Sequence, residues 1–124
     1  MKDGKYVVLC VDDDPDVVAG LRALLEANGY VAEAASTGQE ALDRYDEVKP
    51  DFLIIDLMME TLEAGAELAK KLKAKEGSPP MYMLSSIGGE LGELSDPQSV
   101  GVDGILEKPM KPNVILQALK NHLK

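Results

Sequence analysis

Apolar runs alternate with amphipathic stretches five times along the 124 residues. Phe52-Leu53-Ile54-Ile55 runs straight into Asp56, and Tyr6 to Val11 runs straight into Asp12-Asp13-Asp14. Apolar runs without polar alternation predict strands buried on both faces, as in a parallel sheet lying between helices. Tyr30 to Ala35 is more polar, with Glu33 inside it, and predicts a strand near the sheet edge. Met81 to Leu84 and a short Asp103 to Leu106 complete a set of five.

The segments between carry helical spacing and helical punctuation. Asp14-Pro15 reads as an N-cap followed by proline at the first helical position, with Asp16 at the positive end of the dipole. Val17, Val18, Leu21, Leu24 and Leu25 then share one face, and Asn28-Gly29 closes the helix. Ser36 or Thr37 caps the next, with Glu40 set for a capping box if Thr37 is the cap. Its buried face is Ala41, Leu42, Tyr45 and Val48, and Lys49-Pro50 ends it. A third helix begins within 60–65 and turns Leu68, Ala69 and Leu72 inward, and residues 76–80 break it. Gly88, Gly89, Gly92 and Pro97 leave 87–101 irregular, with only a short or distorted helix near 90–96. Asn113 to Leu123 forms the last helix on Ile115, Ala118 and Leu119. His122 near its end reads as solvent-exposed, since the chain holds no second histidine to share a metal with it.

The expected fold is therefore α/β, a (βα)5 doubly wound parallel sheet of five strands, in one domain over 1–124. Crossovers of one hand place all five strand carboxyl ends along one edge. Open α/β sheets carry their sites there. That edge collects Asp12, Asp13, Asp56, Ser85 and Lys108.

A net charge of -9 argues against direct binding of nucleic acid by this chain. Cys10 is the only cysteine, which excludes an internal disulfide, and its apolar strand predicts a buried, inert thiol. No signal-peptide pattern and no apolar run near membrane-spanning length are present, so a cytoplasmic domain without membrane attachment is expected.

Three carboxylates on adjoining strand ends repel one another unless a cation sits among them. Mg2+ suits an all-oxygen site with few protein carboxylates, and the backbone carbonyl of Met58 is placed to add one more oxygen. A carboxylate beside that ion can attack phosphorus and become an aspartyl-phosphate. The three charged oxygens of the transferred group could then be met by Mg2+, by the Lys108 ammonium, and by the Ser85 hydroxyl with nearby backbone N–H groups. Taken singly, each residue also has a plain structural reading: Lys108 as a surface lysine, Ser85 as a turn residue, Asp12 and Asp13 as an acidic helix start.

Val11-Asp12-Asp13-Asp14-Pro15-Asp16, Ser36-Thr37-Gly38-Gln39-Glu40-Ala41-Leu42, Asp51 to Met59, Met83-Leu84-Ser85-Ser86 and Lys108-Pro109 together carry a family resemblance. Over essentially its full length the chain resembles the receiver domain of two-component response regulators. The resemblance implies a flavodoxin-like strand order 2-1-3-4-5, Asp56 as phosphoacceptor, and Asp12 and Asp13 helping to hold Mg2+. It further implies Ser85 as the switch hydroxyl, Lys108 as the phosphate-contacting lysine and a cis peptide between Lys108 and Pro109. The partners it implies are a sensor histidine kinase or phosphotransfer domain upstream and an output domain or protein downstream. Such a domain is a phosphoacceptor, not an enzyme beyond its own phosphorylation and dephosphorylation.

The chain departs from the family pattern in places. Glu60 stands where proline is usual four residues after the phosphoacceptor, and the usual glycine falls one residue late, at Gly65. Ile105 replaces the fifth strand's aromatic, and the Ser85 to Lys108 interval is about one residue long. Two other readings follow from the same residues. One is a pseudo-receiver, an interaction module that is never phosphorylated. The other is a Mg2+-dependent aspartyl-phosphate phosphohydrolase, which would want a carboxylate two residues after Asp56, where Met58 stands. Flavin binding is weaker still, as no serine-rich loop follows the first strand.

Overall fold

The computed structural model describes residues 4–56, 68, 70–75, 79–85, 103–107 and 111–123, with backbone alone at 56, 85, 105 and 107. Five strands form one sheet: β1 (Val7–Val11), β2 (Val31–Ala35), β3 (Phe52–Asp56), β4 (Met81–Ser85) and β5 (Gly104–Glu107). Their order is β2-β1-β3-β4-β5, and all four pairings are parallel. The helices are α1 (Pro15–Ala27), α2 (Gly38–Val48) and α3 (Pro112–His122), with further helical residues at 68 and 70–73.

Strand pleating sorts the core into two layers. Leu9, Val11, Leu53, Ile55, Met81 and Met83 face one side, packed with Ala41 of α2 and with Leu68 and Leu72. Val8, Cys10, Phe52, Ile54 and Leu84 face the other, packed with Leu21 and Leu25 of α1 and Ile115, Ala118 and Leu119 of α3. Every residue of β1 is buried, which is why the runs show no alternation: both faces of a covered sheet must be apolar. At the edge, β2 is only partly buried, and its polar Glu33 pairs with Arg44 of α2.

The helix ends follow local chemistry. Asp14 caps α1 by accepting the Asp16 N–H at 2.9 Å. At the other end Tyr30 N–H reaches Leu25 C=O at 3.0 Å and Gly29 N–H reaches Glu26 C=O at 3.3 Å. Gly29 takes φ +86° there, completing a Schellman motif. Thr37 caps α2. Lys49 leaves α2 in the left-handed region at φ 48°, a conformation costing about 1–2 kcal/mol for a residue with a Cβ. The following Pro50, itself buried, disfavours the right-handed alternative.

Several boundaries move from expectation. β1 begins at Val7, not Tyr6, and β5 runs Gly104–Glu107 instead of starting at Asp103. Asp103 is occupied instead as a side-chain acceptor for Met81 N–H at 2.8 Å. The last helix starts one residue earlier, at Pro112, whose missing N–H suits a first helical position. His122 is exposed as expected, yet its Nε2 lies 3.1 Å from the Tyr82 hydroxyl. The expected helix start within 60–65 and the irregular segment 87–101 lie outside the described residues.

Candidate functional site

The carboxyl edge of the sheet is built around β1, where the strand order reverses. Val11 pairs with Ala35 of β2 on one side and with Ile55 of β3 on the other. Asp12 and Asp56 are each the next residue, so they stand side by side on strands about 4.8 Å apart. Further along, Asp56 pairs with Leu84, and Ser85, which ends β4, pairs with Glu107 of β5. Lys108 follows Glu107 in sequence but lies outside the described residues, as do Met58 and the Lys108–Pro109 peptide.

Asp12 is only 1% exposed, the one buried charged residue among those described. Its Oδ1 accepts the Asp14 N–H at 2.9 Å, which fixes the turn from β1 into α1. Asp14 is then occupied as the helix cap, while Asp13 between them is exposed. The acidic triplet is thus divided into a buried carboxylate, an open one and a capping one. Asp12 and Asp13 line a notch of about 200 Å3 with Ser36 and Glu40. Two carboxylates with hard oxygen donors, one preset by a backbone N–H and one open to water, fit an ion that keeps part of its hydration shell. Among the described residues no three metal-ligating side chains are gathered together.

Cys10 lies one turn of the pleat below this edge. Burial pushes its thiol up to about 12, against a smaller opposing pull from Arg22 and with a further push from Asp12. It is a packing residue and not a nucleophile.

Sequence reasoning missed two carboxylates that shape the neighbourhood. A capping box would set Glu40 against the Thr37 N–H. Its Oε1 instead accepts the Ser36 N–H at 2.6 Å, while its own N–H donates to Thr37 Oγ1 at 3.0 Å. The pattern Thr-x-x-Glu signals the cap but not which upstream N–H the glutamate takes. Asp51, at the other end of β3, accepts the Val7 N–H at 2.8 Å. An aspartate just before a strand was the only signal for it.

Residues 8–120 match the response regulator receiver domain family. The alkaline phosphatase synthesis transcriptional regulatory protein PhoP of Bacillus subtilis is 32% identical over 91% of this chain and 46% of its own length. The response regulator MprA of Mycobacterium avium is 34% identical over 91% of this chain and 49% of its own. The chain therefore spans about half the length of the curated relatives it matches. Among solved structures, a response regulator from Chloroflexus aurantiacus superposes with a TM-score of 0.85 at 29% identity, covering 96% of this chain and 98% of that one. The chemotaxis response regulator CheY4 of Vibrio cholerae gives 0.80 at 28% identity, covering 96% and 99%.

Proposed function

The chain belongs to the response regulator receiver domain family, and on that premise we propose that residues 1–124 form one receiver domain whose phosphoacceptor is Asp56. The observation that carries this reading is the register at the carboxyl edge, where Val11 opposite Ile55 makes Asp12 and Asp56 neighbours. In the transfer, a bond forms between an Asp56 carboxylate oxygen and phosphorus while the donor's bond to phosphorus breaks, its electron pair leaving with the donor. The donor is a phosphohistidine on a sensor histidine kinase or phosphotransfer domain, and small acyl phosphates can stand in for it in vitro.

Charge on the three outer oxygens of the transferring group has to be met by cations and N–H or O–H donors. Asp12, Asp13, Asp56 and the carbonyl of Met58 would hold Mg2+, which when bound supplies positive charge at one of those oxygens. Lys108 would meet a second through its ammonium, and the Ser85 hydroxyl would donate to the third. The roles of Met58 and Lys108 rest on their places after the third and fifth strands in sequence and on the family pattern. Phosphorylation would switch contacts with an output domain or protein outside this chain, and the domain's own chemistry would extend no further than gaining and losing the phosphoryl group. The pseudo-receiver and phosphohydrolase readings are not favoured by the family match. No described helix is long and apolar enough to cross a membrane.

Intact mass after incubation with acetyl phosphate and Mg2+ tests the proposal. One added phosphoryl group in the wild type and none in Asp56→Asn is expected. No addition under conditions that label a control receiver, or addition that persists in the Asn variant, would overturn it.

A further inference from the structure

One peptide unit, Ala35–Ser36, joins the acidic edge to α2. Its carbonyl accepts the Asp12 N–H at 3.0 Å, the last rung between β1 and β2 before the acidic turn. Its N–H donates to Glu40 Oε1 at 2.6 Å, and Ser36 Oγ lies 3.3 Å from the same oxygen. Glu40 and Asp12 therefore hold opposite ends of a single rigid plane. An acceptor held at the N–H end polarises the unit, making the carbonyl a stronger acceptor for Asp12. Glu40 is itself set by the first turn of α2, through its N–H to Thr37 Oγ1. In a capping box the glutamate would serve the N-cap's own N–H. Here it serves the end of the neighbouring strand, which helix capping alone does not require.

We propose that Glu40 is a positioning residue for the Asp12–Asp13 pair, acting through the Ala35–Ser36 peptide to fix where the cation-holding carboxylates stand. The inference rests on the reading that Asp12 and Asp13 hold Mg2+.

Two variants separate the hydrogen bond from the charge. E40Q keeps an acceptor for the Ser36 N–H but loses the negative charge beside the notch. E40D keeps the charge but is one methylene too short for the bond. Mg2+ affinity is read by NMR titration, following the amides of Asp12 and Asp13, and Asp12 amide exchange is read without metal. Expected are affinity within about twofold of wild type in E40Q and about fivefold weaker in E40D, the scale of one lost hydrogen bond. Asp12 amide exchange should be faster in E40D alone. Weakened binding in E40Q with wild-type binding in E40D would mean that charge alone matters and would overturn the proposal. Equal binding in all variants would overturn it too, while leaving the phosphoacceptor reading intact. Absence of Mg2+ binding in the wild type would instead defeat that reading, and this inference with it.

Discussion

Replacing Asp51 by alanine probes how the amino edge of the sheet is held. Asp51 N–H donates to Val7 C=O at 2.7 Å, and Asp51 Oδ2 accepts Val7 N–H at 2.8 Å, so one residue ties both backbone groups of a buried partner. Asp103 repeats the device on Met81, with 2.7 Å for the backbone bond and 2.8 Å for the carboxylate. Alanine keeps the backbone bond and removes the acceptor for Val7 N–H. A buried donor left unsatisfied costs about 1–3 kcal/mol. Asp51 is half-buried, so water reaches part of the gap and the loss should fall near 1.5 kcal/mol. For a domain of this size that lowers Tm by about 5 °C. Asparagine retains a carbonyl acceptor and should lose about a third as much. Thermal melts by circular dichroism, with amide exchange at Val7, measure both effects. A Tm within about 1 °C of wild type in Asp51→Ala would refute the clamp, as would unchanged exchange at Val7. Asp51 and Asp56 bracket the same strand, so folded Asp51→Ala should still take up a phosphoryl group from acetyl phosphate. Loss of that uptake would contradict the division between a structural carboxylate at one end and a reactive one at the other.

Cys10 should react with thiol reagents only as fast as the protein unfolds, and rapid stoichiometric labelling in native buffer would contradict its burial. Because its thiol is raised from 9.0 to about 12, the stabilisation from keeping it protonated is complete below pH 9. Above that the unfolded chain loses the proton first, and this group's contribution falls by about 1.4 kcal/mol per pH unit until the folded thiol also titrates. Gly104→Ala should push the Tyr82 ring aside, since a Cβ there would lie 2.6 Å and 2.8 Å from its Cε2 and Cζ. The cost should be about 1–3 kcal/mol, with altered His122 ring resonances as the Tyr82 hydroxyl leaves. Unchanged resonances would rule that displacement out.

The sheet was legible because its central strands are apolar on both faces, and the two layers of side chains on β1, β3 and β4 bear that out. The gathering of Asp12 and Asp56 was legible for a topological reason: parallel strands must end on one edge. What stayed hidden depends on register. Asp51 serves as a clamp only because Val8 is opposite Phe52, and no local pattern encodes that alignment. The same holds for Glu40, whose choice of Ser36 follows from a peptide oriented by the β1–β2 pairing. His122 found Tyr82, forty residues away in sequence, through the packing of α3 on the sheet, and helical periodicity carries no trace of such a partner. Met58 and Lys108 lie outside the described residues and rest on the sequence reading and the family pattern.

Chemical mapping of the modified residue is the most direct test of Asp56 as phosphoacceptor. An aspartyl-phosphate is an acyl phosphate, so borohydride reduces it to homoserine and releases phosphate, marking the acceptor permanently. After acetyl phosphate and Mg2+, borohydride reduction and peptide mass spectrometry, homoserine should appear at position 56 and nowhere else. Conversion at Asp12, Asp13 or Asp51, or none at any position, would contradict the assignment.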